Sequence, residues 1–204
     1  MEKKHATSHA RNGVHEHSNK HAEANLSHQS QTVKYLFILF AVLAVAFILL
    51  KPGRLIYFIL VACACGWFFL QRKRHPVRSE TRSAIYVGLF LMVFDFIVEN
   101  AGGFLGLWKT YGSILPIYFV PVEIMMLCLV GGTAWALYLP KKFNWNYSIL
   151  DIVFFSLFGA IGEAVLMHNS LIAYTGGWTS VHAFFGYLVT WIILNFMRYR
   201  VFKV

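Results

Sequence analysis

From about residue 34 onward the chain is built from long apolar runs broken by short polar or basic stretches. About 20 apolar residues in a helix cross the hydrocarbon core of a bilayer, and runs of about 18 or more read as spans. The runs predict spans over residues 35–50, 55–70, 84–104, 115–139, 147–172 and 181–197. Lys51, Pro52 and Gly53 break the first from the second. Pro140 ends the fourth, because proline cannot continue the backbone ladder. The first two are short, so they are expected to sit shallowly or reach into the interface. The expected fold class is all-α, a polytopic membrane helix bundle of about six spans, with residues 34–204 as the membrane domain.

Residues 1–33 differ in kind. His5, His9, His15, His17, His21 and His28 are scattered among Ser, Asn, Ala and Lys, with few large apolar residues to bury. Such a segment is expected to be a disordered tail. No secretory leader is expected, since the first apolar run begins late and lacks a small-residue cleavage site. The histidines are irregularly spaced and lack a cysteine or acidic ligand set, so the tail reads as solvated and pH-sensitive, with no metal centre.

Composition supports the membrane reading. The chain is 58% hydrophobic and only 13% charged, where a soluble domain carries roughly a quarter charged residues. The formal net charge of +9 invites a nucleic-acid reading. The charges sit in the tail and in short loops, however, and no basic face alternates with aromatics, so no nucleic-acid partner is expected. Arg72, Lys73, Arg74, Arg78 and Arg82 follow the second run, Lys141 and Lys142 follow the fourth, and Arg198, Arg200 and Lys203 follow the sixth. The alternate loops hold only Lys51, Arg54 and Lys109. By the positive-inside rule both termini are expected in the cytoplasm, with the protein in the cell membrane. Trp108, Tyr111, Tyr174 and Trp178 then fall at the outer interface. Cys63, Cys65 and Cys128 lie inside apolar runs and read as packing residues, not a disulfide framework.

The acids carry the functional signal. Asp95, Glu99, Glu123, Asp151 and Glu163 all fall within or at the edge of predicted spans. A charge at the bilayer centre costs at least about 2.5–3.5 kcal/mol, so such residues face the bundle interior, paired, protonated or functional. Counting helical rise, Glu99 is about 7 Å inside its span, Glu123 about 12 Å and Glu163 about 13 Å, with Asp95 one turn below Glu99. His168 and His182 lie nearer the outer surface. Asp95, Glu99, Glu123 and Glu163 are therefore expected in one slab, with no Lys or Arg at matching depth. Asp151 belongs to the cytoplasmic side and is expected to be a helix-end contact. Carboxyl groups held protonated in such a slab can donate a proton to a substrate; the competing reading is a buried polar network that locks helices together. Gly131, Gly132, Gly159 and Gly162 read as sites of close helix contact.

The stretch from Phe94 to Tyr138 resembles carotenoid-modifying membrane enzymes, namely the lycopene cyclase domain family and the bacterioruberin-type carotenoid hydratases. The cyclase-like elements are Asp95, the Gly106-Leu107-Trp108 turn and Pro121-Val122-Glu123. The hydratase-like elements are Glu99, Gly102, Gly103, Gly106, Trp108, Val120 and Pro121. The second glutamate of the cyclase pair is Ile124 here. A looser second copy runs from Glu163 through Gly176-Gly177-Trp178 to Gly186-Tyr187, so two three-helix repeats are expected.

The resemblance implies a lycopene cyclase-like isomerase or lyase acting on an isoprenoid or carotenoid lipid without a cofactor. Glu123, Glu99, Asp95 and Glu163 would be the catalytic acids, with Glu123 the leading one. Trp108, Tyr118, Trp178, His168 and His182 would bind substrate, the aromatic faces stabilising a carbocation. Two other functions stay open. One is a small proton-coupled carrier, which repeats and carboxyl relays also suit. The other is a non-catalytic assembly protein. Homo-oligomerisation is left open in all three.

Overall fold

The computed structural model describes residues 35–36 and 38–204. The histidine-rich segment over residues 1–33 lies outside them. The chain divides into two units, Met1–Ala46 and Phe47–Val204, with the division inside the first helix. That helix, α1 (Ile38–Leu50), is apolar and short, and within the described residues the first unit holds only its beginning. Everything below concerns the second unit.

Five further helices follow: α2 (Leu55–Arg74), α3 (Arg78–Phe104), α4 (Val122–Tyr138), α5 (Trp145–His168) and α6 (Ser180–Phe196), the last continuing into a π-helical turn over Met197–Phe202. Four of them, α2, α3, α5 and α6 with its extension, are long and apolar enough to cross a membrane. α3, with 27 residues, is about 40 Å long, ample for a hydrocarbon core of about 30 Å. The described fold is thus mainly helical and compatible with an integral membrane protein.

Local chemistry sets the helix ends. Arg72, Lys73 and Arg74 occupy the last turn of α2, where cations complement the helix dipole. Pro121 precedes α4 with φ −61°, the angle its ring already imposes. Leu139 leaves α4 with extended backbone, as the residue before a proline must. The Asn144 side chain accepts a hydrogen bond from the Tyr147 amide, 3.2 Å away, and caps α5.

Two expected spans are corrected. The fourth, 115–139, is not one helix: Pro116–Ile117 (β2) and Val120–Pro121 (β3) pair as a hairpin ahead of α4. Prolines at 116 and 121, opposite each other in this pairing, keep the apolar run out of the helix. The fifth, 147–172, ends at His168, and Ile172–Tyr174 forms strand β4. β4 pairs antiparallel with β1 (Trp108–Thr110), joining the α3–α4 and α5–α6 connections.

α4 packs on α2 and α3, and α5 on α6. The α3–α4 crossing is close because glycines meet: a β-carbon on Gly132 would lie 3.2 Å from the Gly88 α-carbon. One on Gly88 would lie 2.2 Å from the Leu129 carbonyl oxygen. Gly159 is also a contact point, under the Tyr187 ring, whereas Gly162 faces open space and Gly131 nearly so.

Connections gather at two opposite ends. At the hairpin end, Tyr111 donates its amide to Leu171 (2.8 Å) and Thr175 to Leu107 (2.7 Å). Asn169 ties in the α1–α2 turn, accepting from Gly53 (3.4 Å) and donating to the Phe47 carbonyl (3.1 Å). At the basic end, Glu80 pairs with Lys141, and with His75 at 3.5 Å. Arg198 sits at this end too, but it is not the loop charge its place in the sequence suggests. It is 2% exposed, with Nε and Nη2 each 3.3 Å from the carbonyls of Ala136 and Leu139. It thereby satisfies carbonyls at the end of α4 that have no helical partner.

Candidate functional site

The hairpin end holds most of the chemistry. Glu99 lies on α3, five residues before its end at Phe104, and Glu163 lies on α5, five residues before its end at His168. Each carboxylate accepts from an aromatic side chain on the strand that follows its helix. Trp108 Nε1 donates to Glu99 Oε2 at 2.7 Å, and the Tyr174 hydroxyl donates to Glu163 Oε2. Trp108 and Tyr174 are themselves register partners across the β1–β4 pairing. Tyr187 on α6 supplies a further donor, to Glu163 Oε1 at 2.8 Å.

Glycines make room for two of these rings. A β-carbon on Gly102 would sit 2.0 Å from the Trp108 indole, and one on Gly159 would sit 2.6 Å from the Tyr187 ring. Gly102 is three residues from Glu99 and Gly159 four from Glu163, spacings that share a helix face. Each ring therefore lies on a bare patch of helix, with its polar hydrogen aimed at a carboxylate one turn away. Tyr174 lies outside the helices. Burial, and then the Glu163 carboxylate it meets, push its hydroxyl above the ordinary phenol range, so it remains a donor at all ordinary pH.

Asp95, one turn below Glu99, differs from both. Its Oδ2 is buried with no hydrogen-bond partner, and the Cys128 thiol of α4 lies beside the carboxyl group. Asp95, Glu99 and Glu163 lie within electrostatic reach of one another, and among the described residues no Lys or Arg forms an ion pair with any of the three. Carboxyl groups within electrostatic reach of one another repel when both are charged, and the repulsion is stronger in a low dielectric.

Glu123 does not lie at the expected depth. It is the second residue of α4, not a position some eight residues inside a longer span. Its oxygens accept from Ser113 Oγ (2.6 Å) and the Ile114 amide (2.9 Å), so it clamps the preceding loop. Trp178 packs on Trp108 with ring centroids 4.8 Å apart, and His182 lies against Trp178 at 5.3 Å, its Nδ1 2.9 Å from Thr179 Oγ1. His168 is exposed in the last turn of α5. Tyr118 is 77% exposed at the β2–β3 turn, with φ +55°. Asp151 accepts from Trp135 Nε1 at 2.9 Å, a contact between α5 and α4.

The sequence reading did not find the roles of Tyr174, Tyr187 and Cys128. The signal available was spacing, since an aromatic donor follows Glu99 by nine residues and Glu163 by eleven. Among the described residues no set of three His, Cys, Asp or Glu side chains is placed to hold a metal ion.

No protein-family model, curated protein or solved structure matches this chain. The functional reading rests on the site alone.

Proposed function

We propose that the chain is a six-span membrane protein of the cell membrane, with both termini cytoplasmic, and that Asp95, Glu99 and Glu163 form a proton-donating site for an isoprenoid or related lipid. The observation that carries this is the unpartnered Asp95 oxygen, buried beside two other carboxyl groups with no cation among them. A shared proton in an apolar site is available to a carbon–carbon double bond, and proton transfer there needs no cofactor. Asp95 and Glu99 are the donors in this scheme, with Glu163 oriented by its two tyrosines. Trp108 and Trp178 present ring faces to developing positive charge. Glu123 becomes a positioning residue that holds the loop above the site. The paired settings of Glu99 and Glu163 support the two-repeat arrangement.

The test is conversion of polyenes such as lycopene in membranes carrying matched amounts of each variant. Asp95→Asn and Glu99→Gln, which remove the transferable proton and keep the volume, should each lower turnover by at least about 100-fold. Full activity in both would end the proposal. The same shared-proton cluster suits a proton-coupled carrier. Acid-dependent solute flux, with no conversion of any isoprenoid, would select that reading.

A further inference from the structure

The apolar stretch after Gly112, expected from its composition to begin a span, instead forms a turn and hairpin outside the helices. Ile114 is 65% exposed, Leu115 62% and Tyr118 77%. Tyr118 holds φ +55°, a left-handed conformation that costs a bulky residue on the order of 1–3 kcal/mol. That conformation leaves the phenol projecting from the turn. Beside these residues is an open cavity of about 380 Å³, lined by Lys109, Thr110, Tyr111, Ser113, Tyr118 and Phe119 among others.

The polar groups of this cavity are unevenly committed. Thr110 spends its hydroxyl hydrogen on the Phe119 carbonyl, at 2.5 Å, and Ser113 spends its own on Glu123. The free donors are the Lys109 ammonium and the phenols of Tyr111 and Tyr118, none of which has a side-chain partner among the described residues. No acid occurs between residues 105 and 122. Glu123, the acid at the end of this loop, accepts from Ser113 and Ile114. The cavity thus joins one uncompensated cation and two phenol donors to an exposed apolar rim.

We infer that this hairpin binds a phosphate-bearing lipid of the surrounding leaflet. The lipid phosphate lies against Lys109 and the two phenols, and its first acyl carbons lie along Ile114 and Leu115. Three features favour a lipid. The positive charge complements a phosphate. The apolar rim continues the lipid-exposed helix surface, and tyrosines at such a boundary occupy the position that amphipathic rings favour. This site is distinct from the acid cluster, and the inference rests on the membrane reading of the chain.

The experiment uses the purified full chain in maltoside detergent, with lipid binding read by native mass spectrometry across a titration. Dioctanoyl-phosphatidylglycerol should bind saturably, and dioctanoylglycerol and inorganic phosphate at least about tenfold more weakly. Lys109→Ala should weaken phosphatidylglycerol binding about tenfold. Tyr118→Ala should weaken it several-fold, and both variants should melt like the parent chain because both side chains are exposed. Equal binding of dioctanoylglycerol would overturn the phosphate contact. Equal binding of inorganic phosphate would make this a free-anion site and overturn the lipid. Unchanged affinity in both variants would place the lipid elsewhere and overturn the site. Carbonate extraction of native membranes separates the two levels of argument: a chain released by carbonate defeats the membrane reading itself, whereas a chain retained without phosphatidylglycerol binding defeats only this inference.

Discussion

Trp108 and Tyr174 face each other across the β1–β4 pairing, and each gives its side-chain hydrogen to a carboxylate five residues from the end of the preceding helix. The pairing joins two connections whose own sequences are unlike. It sets the spacing of Glu99 and Glu163, because each acid is tied to one strand of the same two-stranded ladder.

The glycine patches beneath the rings should be intolerant of even one methyl group. Gly102→Ala puts a β-carbon inside the Trp108 indole envelope and should cost about 1–3 kcal/mol, with Gly159→Ala comparable beneath Tyr187. Gly162→Ala, with nothing within 4 Å of the added carbon, should be neutral or slightly stabilising. Melting of the three variants in detergent checks the order, and equal behaviour of Gly102→Ala and Gly162→Ala would refute it.

Glu163 and Tyr187 should be energetically coupled. Glu163→Gln and Tyr187→Phe should together cost less than the sum of the single changes, with an interaction of about 0.5–1.5 kcal/mol. A double-mutant cycle measures this directly, and additivity within about 0.3 kcal/mol would mean that the bond contributes nothing.

At the other end, Trp135→Phe strips Asp151 of its indole donor and should cost about 1–3 kcal/mol. Adding Asp151→Leu should recover part of that loss, since removing both partners leaves no stranded polar group. Asp151→Asn keeps an acceptor for the indole and should leave both folding and any activity of the distant acid cluster largely intact. A double variant weaker than Trp135→Phe alone would contradict this account.

Orientation is tested with reporter fusions. Those after Lys51, Lys109 and Thr175 should report outside, and those after Arg78, Lys142 and Val204 inside. The decisive fusion is the one after Lys142, where an outside signal would reverse the proposed topology.

The apolar runs made the helices legible, because hydropathy and proline positions carry that information locally. The start of α4 was not legible. Residues 114–122 are as apolar as a helix, and a short apolar run does not distinguish hairpin from span. That ambiguity shifted Glu123 by two turns of helix, from inside a span to the first turn of α4. Asp95, Glu99, Glu123 and Glu163 stood out in the sequence because carboxylates in apolar helices are rare. Their ordering was not legible, since what separates Asp95 from Glu163 is which aromatic donors reach each one. Those donors come from β4 and α6 by tertiary pairing, and a three-residue strand has no periodicity to announce it.

Arg198 has a consequence for the order in which the molecule is completed. Its contacts with Ala136 and Leu139 span about sixty residues of chain. During synthesis, α4 emerges with its last carbonyls bare, and they stay so until α5 and α6 have been made. The carbonyl end of α4 is therefore capped only once the chain has been made through Arg198. A chain ending at Phe196 lacks both contacts, whereas one extending through Phe202 has them.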